Sequence, residues 1–545
     1  MSDTHHREFS ELPIAVDRGA DAPLPAQIAA ALREAIDQDT LRPGEAVPAT
    51  RELASRLRVA RGVVVSAYEQ LIAEGYLSAG HGRGTRVHPE LRLMDRGAPA
   101  AAPGEAENPG QPEPAASPRA PENDENAEQS AALLPGPPAP VGAPRAAKKS
   151  DALLPEPLAP GLPDTSAVDT PAWRAAWRHA ATRAHLEAPD LGDPRLRAEI
   201  AEHLRRMRGT TRPAEDVIVT AGAREGLSLL LSALGTVRGR ALTVGVEDPG
   251  YPSLRRVAVR HGADIVALPV DAEGLVTEGL PLGRLDAVLV TPSHQYPLGG
   301  SLPLARRREL LDWAHRTGAV IVEDDYDSEL RHSGSPLPTL AALDDRDSGS
   351  VALLGTFSKT VSQALSAGYL LVPKSLGRIV EPARHDFGGP VSAVLQAALA
   401  EYLSSGELRR HTARMRRRYA ARRELVVERL FGVPGARVRP MSGGLHAVVE
   451  LEGASAETEA AVLARCEPLG AVPLSAYWHS ADTGGGSFGL VIGTGGSLDE
   501  ARFDAALRSL REALQQSLLG VSPQAPPEGR APRAPAPRRA APPRG

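Results

Sequence analysis

The chain predicts a multidomain protein: a small α+β module, a long linker and a large α/β domain with a smaller C-terminal α/β subdomain. Three observations carry that prediction. At 545 residues the chain is too long for one ordinary domain. Residues 97–150 hold 12 prolines and no apolar period, a composition that cannot bury enough surface to offset its ordering entropy. Beyond about residue 190, short apolar runs alternate with amphipathic segments, the pattern of a sheet covered by helices on both faces.

Residues 1–22 are polar at their start, MSDTHHREFSELP, and are read as an arm. In the module at 23–90, Ile28, Leu32 and Ile36 recur at helical spacing and predict a first helix over LPAQIAAALREAIDQDTL. The turn RPGEAVP ends it. Thr50 caps a second helix, TRELASRLRV, and RGVVVSAYEQLIAEGY predicts a third with Val64, Tyr68 and Leu71 on one side. LSAGHGRGTRVHP then alternates around glycines as a hairpin. Three short helices and a β-wing describe a winged helix-turn-helix, whose third helix enters the major groove. Residues 51–61 carry Arg51, Arg56, Arg58 and Arg61 against Glu52 alone, and Arg83 and Arg86 stand on the wing. Guanidinium forks suit phosphates and guanine edges, so Arg51, Arg58, Arg61 and Arg83 are the candidate DNA contacts.

The linker at 91–153 contains no aromatic residue, and a flexible chain of its proline-rich core reaches roughly 40 Å. In the large domain at 154–517, helices are expected at 194–208, 222–234 and 251–261, and strands at 216–220, 241–246, 287–291, 318–323 and 351–355. That alternation predicts a parallel sheet, with ligands at the carboxyl ends of its strands. Three features gather there. VALLGTFSKT runs an apolar strand into Lys359, and desolvation suits such a lysine to Schiff-base chemistry. AVIVEDDYDSEL sets Asp324, Asp325 and Tyr326 past another strand, where a carboxylate pairs with a protonated ring nitrogen and a phenol with a ring hydroxyl. VIVTAGAREGL turns from strand to helix at Gly222, offering free N–H groups to a phosphate. Residues 518–545 form a tail with five arginines against one glutamate.

The segment PATRELASRLRVARGVVVSAYEQLIAEGYLSAGHGRGTRV resembles the GntR-type winged-helix family, which implies binding to a double-stranded DNA operator. Ala49 and Ala60 stand where that family carries small hydroxyl caps. TAGAREGL, VEDPGYPS, TPSHQYPLGG, VEDDYDSELR, GTFSKT and HTARMRRRYAARRELV resemble, in order, the fold type I pyridoxal-phosphate domain of aminotransferases. Both modules in this order resemble the MocR-type regulators. The resemblance implies pyridoxal 5'-phosphate as cofactor, with Lys359 as covalent anchor and catalytic residue. It sets Asp324 at the pyridine nitrogen, Tyr326 at the ring hydroxyl and Tyr251 stacked on the ring, with Gly222, Ala223, Arg224, Thr356 and Ser358 at the phosphate. It further implies a homodimer and a small amine or amino-acid effector.

Three departures accompany the match. Ser366 stands where the family has a phosphate-neutralising arginine, Leu191 where it has a phosphate-reaching tyrosine, and GSFGLVIGTGG lacks the arginine that binds a substrate carboxylate. The expected function is a transcription regulator whose aminotransferase-like domain binds pyridoxal phosphate for dimerisation and sensing. The alternatives are an aminotransferase enzyme, or a regulator that keeps the fold and binds the cofactor weakly or not at all.

The remaining features narrow the class. Cys466 is the one cysteine, which excludes an intrachain disulfide framework and a cysteine-rich zinc module, and no metal site is expected. With no apolar run of membrane-spanning length and no leader pattern, the chain is read as cytoplasmic. Net charge −5 argues against a wholesale basic coat. Gly484, Gly486 and Gly489 fit GxGxxG but precede their apolar strand, so no dinucleotide site is assigned. His294 in PSHQYPLGG is read as a structural or solvated loop residue, with the resemblance implying, as the alternative, a place in the loop near the ring. The eight arginines from Arg409 to Arg423 are read as a solvated helix face paired with acids, with a second DNA-contacting surface as the alternative.

Overall fold

The computed structural model describes residues 14, 16–17, 24–37, 40–42, 44–73, 76–80, 84–87, 156–182, 189–331, 338–441, 443–479 and 487–518. In the N-terminal module, helices α1 (Leu24–Asp37), α2 (Thr50–Leu57) and α3 (Arg61–Ala73) precede a hairpin of β1 (Leu77–Gly80) and β2 (Gly84–Val87). The apolar stripe read from spacing is the one buried: Ile28, Leu32, Ile36, Val64, Tyr68 and Leu71 have at most 3% exposure. The Tyr68 hydroxyl donates to the Pro48 carbonyl at 2.7 Å, fastening α3 to the approach of α2. The hairpin is antiparallel, with Leu77 opposite Val87.

The missing hydroxyl cap is real in the geometry. Ala49, not Thr50 as expected, is the N-cap of α2, in extended conformation and without a side-chain hydrogen bond; Thr50 is the first residue of the helix. Ala49→Ser is therefore expected to stabilise the module by about 1 kcal/mol, read as a raised midpoint in thermal denaturation.

The large domain is built on one eight-stranded sheet. Its strands are β3 (Val217–Thr220), β4 (Thr243–Asp248), β5 (Asp264–Asp271), β6 (Gly274–Leu275), β7 (Ala287–Val290), β8 (Val320–Asp324), β9 (Val351–Thr356) and β10 (Gly368–Leu371). They lie in the order β3-β10-β9-β8-β7-β4-β5-β6. The sheet is mixed, which corrects the parallel expectation: β10 runs antiparallel to both β3 and β9, and β6 to β5. The reason is the connection. Residues 357–367 contain only a short 3-10 turn at Gln363–Leu365, and a parallel return needs a longer crossover, usually a helix.

Alternating residues feed two cores. Val217, Val219, Leu353, Tyr369 and Leu371 pack on one face with Leu196, Ile200 and Leu204 of the helix Pro194–Arg208. Ile218, Ala352, Leu354 and Leu370 pack on the other with Leu227, Leu230 and Leu234 of the helix Ala223–Arg238. Burial on both faces explains why these strands read as continuous apolar runs. A second, antiparallel sheet of β11 (Ala436–Val438), β12 (His446–Leu451), β13 (Val472–Pro473) and β14 (Gly489–Gly493) has the order β11-β12-β14-β13. Phe503, Leu507, Leu510 and Leu514 of the helix Glu500–Leu518 cover it. Among the described residues no helix is long and apolar enough to cross a membrane.

Candidate functional site

In the N-terminal module, Arg51, Arg58 and Arg61 are all exposed. Arg61 opens α3 and its Nε donates to Thr50 Oγ1 at 3.4 Å, beside Arg51, so the starts of α2 and α3 meet. Arg58 ends α2 in the left-handed region at φ 52°, a conformation that costs a non-glycine residue roughly 1 kcal/mol. Arg83 lies outside the described residues.

In the large domain the strand ends converge. Gly222, at φ 89°, caps the helix Ala223–Arg238 with no side chain in the way, and a Cβ there would stand 4.0 Å from Thr356 Oγ1. Gly368 makes this approach feasible: paired with both Thr220 and Thr356, it has the Cα of Gly222 at 2.9 Å from where a Cβ would be. Ser358 N–H donates to Thr356 Oγ1 at 3.1 Å. Thus Gly222, Ala223, Thr356 and Ser358 form one polar turn at the helix N-terminus, an arrangement that receives anions. Arg224, the second residue of that helix, is exposed. Behind the turn Glu225 accepts from Ala221 N–H at 3.1 Å, and both its oxygens accept from Nη2 of the buried Arg384, at 2.7 and 2.9 Å.

Lys359 points into the same space. Its Nζ donates to the Gly161 carbonyl at 2.8 Å, which also accepts from Gln363 at 3.0 Å. Gly161 sits at φ 78°, and a Cβ on it would come within 2.7 Å of Nζ, so only glycine leaves the amine room. Burial lowers the Lys359 ammonium below its usual range, against the opposing charges of Asp327 and Asp324 and with help from Arg224.

Asp324, at the end of β8, is 4% exposed and its Oδ1 has no hydrogen-bond partner among the described residues. Burial, then the neighbouring Asp325, pushes its carboxyl up to about 8 while Lys359 opposes the shift. A buried orphan acceptor of this kind calls for an N–H donor, and a protonated pyridine nitrogen supplies one. The residues present therefore fit pyridoxal phosphate. Tyr326 donates to the His294 carbonyl at 3.0 Å, and its hydroxyl also lies 3.0 Å from His294 Nδ1. That Nδ1 is 3.1 Å from Asp327 Oδ1. Tyr251 is half-buried and meets Tyr296 edge to face at 5.3 Å. A small pocket beside Tyr251 is lined by Tyr251, Asp324, Glu247 and Thr291.

Several of these residues escaped sequence reasoning. Gly161 and Gln363 hold the lysine, Tyr296 and His446 complete the aromatic wall, and Glu247 is buried with Thr291 and Gln295 as partners. His294 is neither solvated nor isolated: it is 5% exposed and packs between Tyr326 and His446. His446 itself is held down to about 3, and so neutral, by burial and then by His294.

The departures also have structural outcomes. Ser366 is exposed and left-handed at φ 45°. Leu191 packs against the apolar core around Ile218. The buried Arg422 does not replace the absent substrate arginine, because its guanidinium contacts the Thr494 and Gly496 carbonyls and Glu500.

Three buried carboxyls set a pH dependence. Burial is the first cause in each: Asp324 is pushed up to about 8, Glu247 to about 7 and Glu323 to about 7. A folded-state value above the ordinary one means the native chain keeps protons that the unfolded chain has released. Stability therefore falls as pH rises from about 4 through about 8. Without coenzyme, the thermal midpoint is expected to drop between about pH 5 and 8. Asp324→Asn flattens the upper part of that fall; an unchanged profile in the variant contradicts the assignment.

Comparison with known proteins agrees with this architecture. Residues 24–87 match the bacterial regulatory proteins of the gntR family, and residues 158–469 match aminotransferase class I and II. The HTH-type pyridoxine biosynthesis transcriptional regulator PdxR of Corynebacterium glutamicum is 40% identical over 93% of this chain and 99% of its own. The probable rhizopine catabolism regulatory protein MocR of Rhizobium meliloti is 34% identical over 76% and 78%. Among solved structures, the α-aminoadipate aminotransferase LysN of Thermus thermophilus, complexed with N-(5'-phosphopyridoxyl)-L-leucine, superposes with a TM-score of 0.56 at 26% identity, covering 67% of this chain and 92% of that one. The chain therefore belongs to the MocR-type transcription regulators, in which a GntR-type helix-turn-helix module precedes an aminotransferase class I and II domain.

Proposed function

We propose that this regulator acts in the cytoplasm as a homodimer, binds a repeated DNA half-site through its two N-terminal modules, and takes pyridoxal phosphate itself as its reversible signal. The division follows the chain: an arm at 1–22, the DNA-binding module at 23–90, the linker at 91–153, the ligand domain at 154–517 and the tail at 518–545. The observation that carries the reading is the orphan carboxyl oxygen of Asp324 near Lys359, in a site with no guanidinium at Ser366 or Leu191. The role named for the Corynebacterium relative, pyridoxine biosynthesis regulation, supports the coenzyme as effector. The lack of an arginine in GSFGLVIGTGG supports regulation over amino-acid turnover.

When bound, the coenzyme supplies an aldehyde for a lysine amine and a near-visible chromophore. The chain's residues do the rest. Lys359, partly desolvated, provides the amine as covalent anchor. Asp324 would accept from the ring nitrogen, Tyr326 and His294 would orient the ring hydroxyl, and Tyr251 would cover a ring face. Gly222, Ala223, Arg224, Thr356 and Ser358 receive the phosphate through neutral donors and one exposed guanidinium. Neutral donors grip less strongly than a charged fork, so the coenzyme exchanges readily.

Gel retardation of DNA from upstream of the gene, at stated salt and with or without pyridoxal phosphate, tests this reading. Specific retardation by the wild type is expected, with an affinity that changes on adding the coenzyme. Arg51→Ala with Arg61→Ala should lose at least tenfold, as two phosphate or base contacts are removed at roughly 1 kcal/mol or more each. Equal retardation by that variant, or none by the wild type, contradicts the proposal.

A further inference from the structure

We propose that the helix Glu407–Leu430 carries a second DNA-binding surface, an exposed arginine stripe that grips the phosphate backbone of duplex beyond the reach of the helix-turn-helix contacts. The helix is two-faced. Leu408, His411, Thr412, Met415, Tyr419 and Val426 are buried on one side. At 3.6 residues per turn, Arg409, Arg410, Arg414, Arg416 and Arg417 fall within one arc on the other side. Four of these are exposed and Arg416 is half-buried.

Their partners separate structural arginines from the rest. Arg410 pairs with Glu407 at 2.8 Å. Arg418 and Arg422 pair with Glu500 at 2.9 and 3.3 Å, Arg423 donates to the Arg439 carbonyl at 2.8 Å, and Arg429 pairs with Asp504 at 2.6 Å. Arg409, Arg414, Arg416 and Arg417 have neither a hydrogen bond nor an ion pair among the described residues. The expectation of a face paired with acids thus holds for Arg410, Arg418 and Arg422 and fails for the other five of the eight.

Four unpaired guanidiniums along about 12 Å of one helix face repel one another. A merely solvated face is better built with both signs interspersed, and the whole chain is net acidic at −5. An external polyanion resolves the repulsion. Duplex DNA is the polyanion that the N-terminal module brings to this chain, and its phosphates bind arginines without regard to sequence.

The test uses the full chain and a fluorescein-labelled duplex of about 60 base pairs and random sequence, followed by anisotropy from roughly 50 to 200 mM salt. Wild type is compared with a fourfold variant, Arg409→Gln, Arg414→Gln, Arg416→Gln and Arg417→Gln, and with the same positions changed to lysine. Each phosphate contact contributes about 0.9 to the log–log salt slope, so the glutamine variant is expected to lose about 2 to 4 and the lysine variant to keep most of it. Equal slopes in wild type and glutamine variant overturn the proposal, as does an equal loss in both variants, which would mark a folding role. Capture of wild type but not of the glutamine variant by phosphatidylserine vesicles, with DNA slopes unchanged, overturns it in favour of an anionic membrane surface. A wild type that binds no duplex at all overturns the regulator reading together with the stripe.

Discussion

Replacing Ser366 with arginine is expected to tighten pyridoxal phosphate binding about tenfold to a hundredfold, the worth of roughly 1.5–3 kcal/mol for a hydrogen bond to a charged group. Ser366 is two residues ahead of Gly368, whose neighbours across the sheet are Thr220 and Thr356. A long side chain from this exposed position therefore reaches the polar turn at Gly222. The backbone already accepts φ 45° with a non-glycine residue, so the substitution adds little strain. Pyridoxal without its phosphate serves as the control. If both ligands tighten equally, or neither does, the phosphate has been assigned to the wrong turn.

The second large effect concerns the ion pair of the buried Arg384 with the half-buried Glu225 behind that turn. Arg384→Met is expected to cost roughly 1.5–3 kcal/mol of stability, because it leaves the half-buried Glu225 carboxylate without its guanidinium partner. The affected charge also lies beside the anion-receiving turn, since Glu225 holds Ala221 N–H. Coenzyme affinity should therefore fall along with the thermal midpoint. Combining Arg384→Met with Glu225→Gln removes the unpaired charge and should recover part of both. A double variant no better than the single one would show that packing of Arg384 matters and its charge does not.

Local pattern made much of this molecule legible. Ile28, Leu32 and Ile36 are buried because a helical period of apolar residues has one way to hide, and the helix Pro194–Arg208 begins and ends where proline and Gly209 say it should. Strand direction was another matter. GYLLV after Ser366 reads as an apolar run in any sheet, and its antiparallel course depends on a short connection whose structure no periodicity encodes. The site divides in the same way. Lys359, Asp324 and Gly222 announce themselves at the ends of apolar strands. Gly161 and His446 do not, because each earns its position only through a contact far along the chain, with Lys359 in one case and with His294 and Tyr296 in the other. Asp325 was read beside Asp324, yet alternation along the strand end turns it instead to the buried Arg208 at 3.1 Å.

The account rests on a lysine-anchored coenzyme site within a DNA-binding regulator, and near-visible absorbance of the purified full chain titrated with pyridoxal phosphate tests it most directly. The wild type should develop a saturable band that is lost on dialysis, and Lys359→Ala should develop none while keeping its helical content. A wild type without a band at any coenzyme concentration, or a Lys359→Ala variant with the same band, would contradict it.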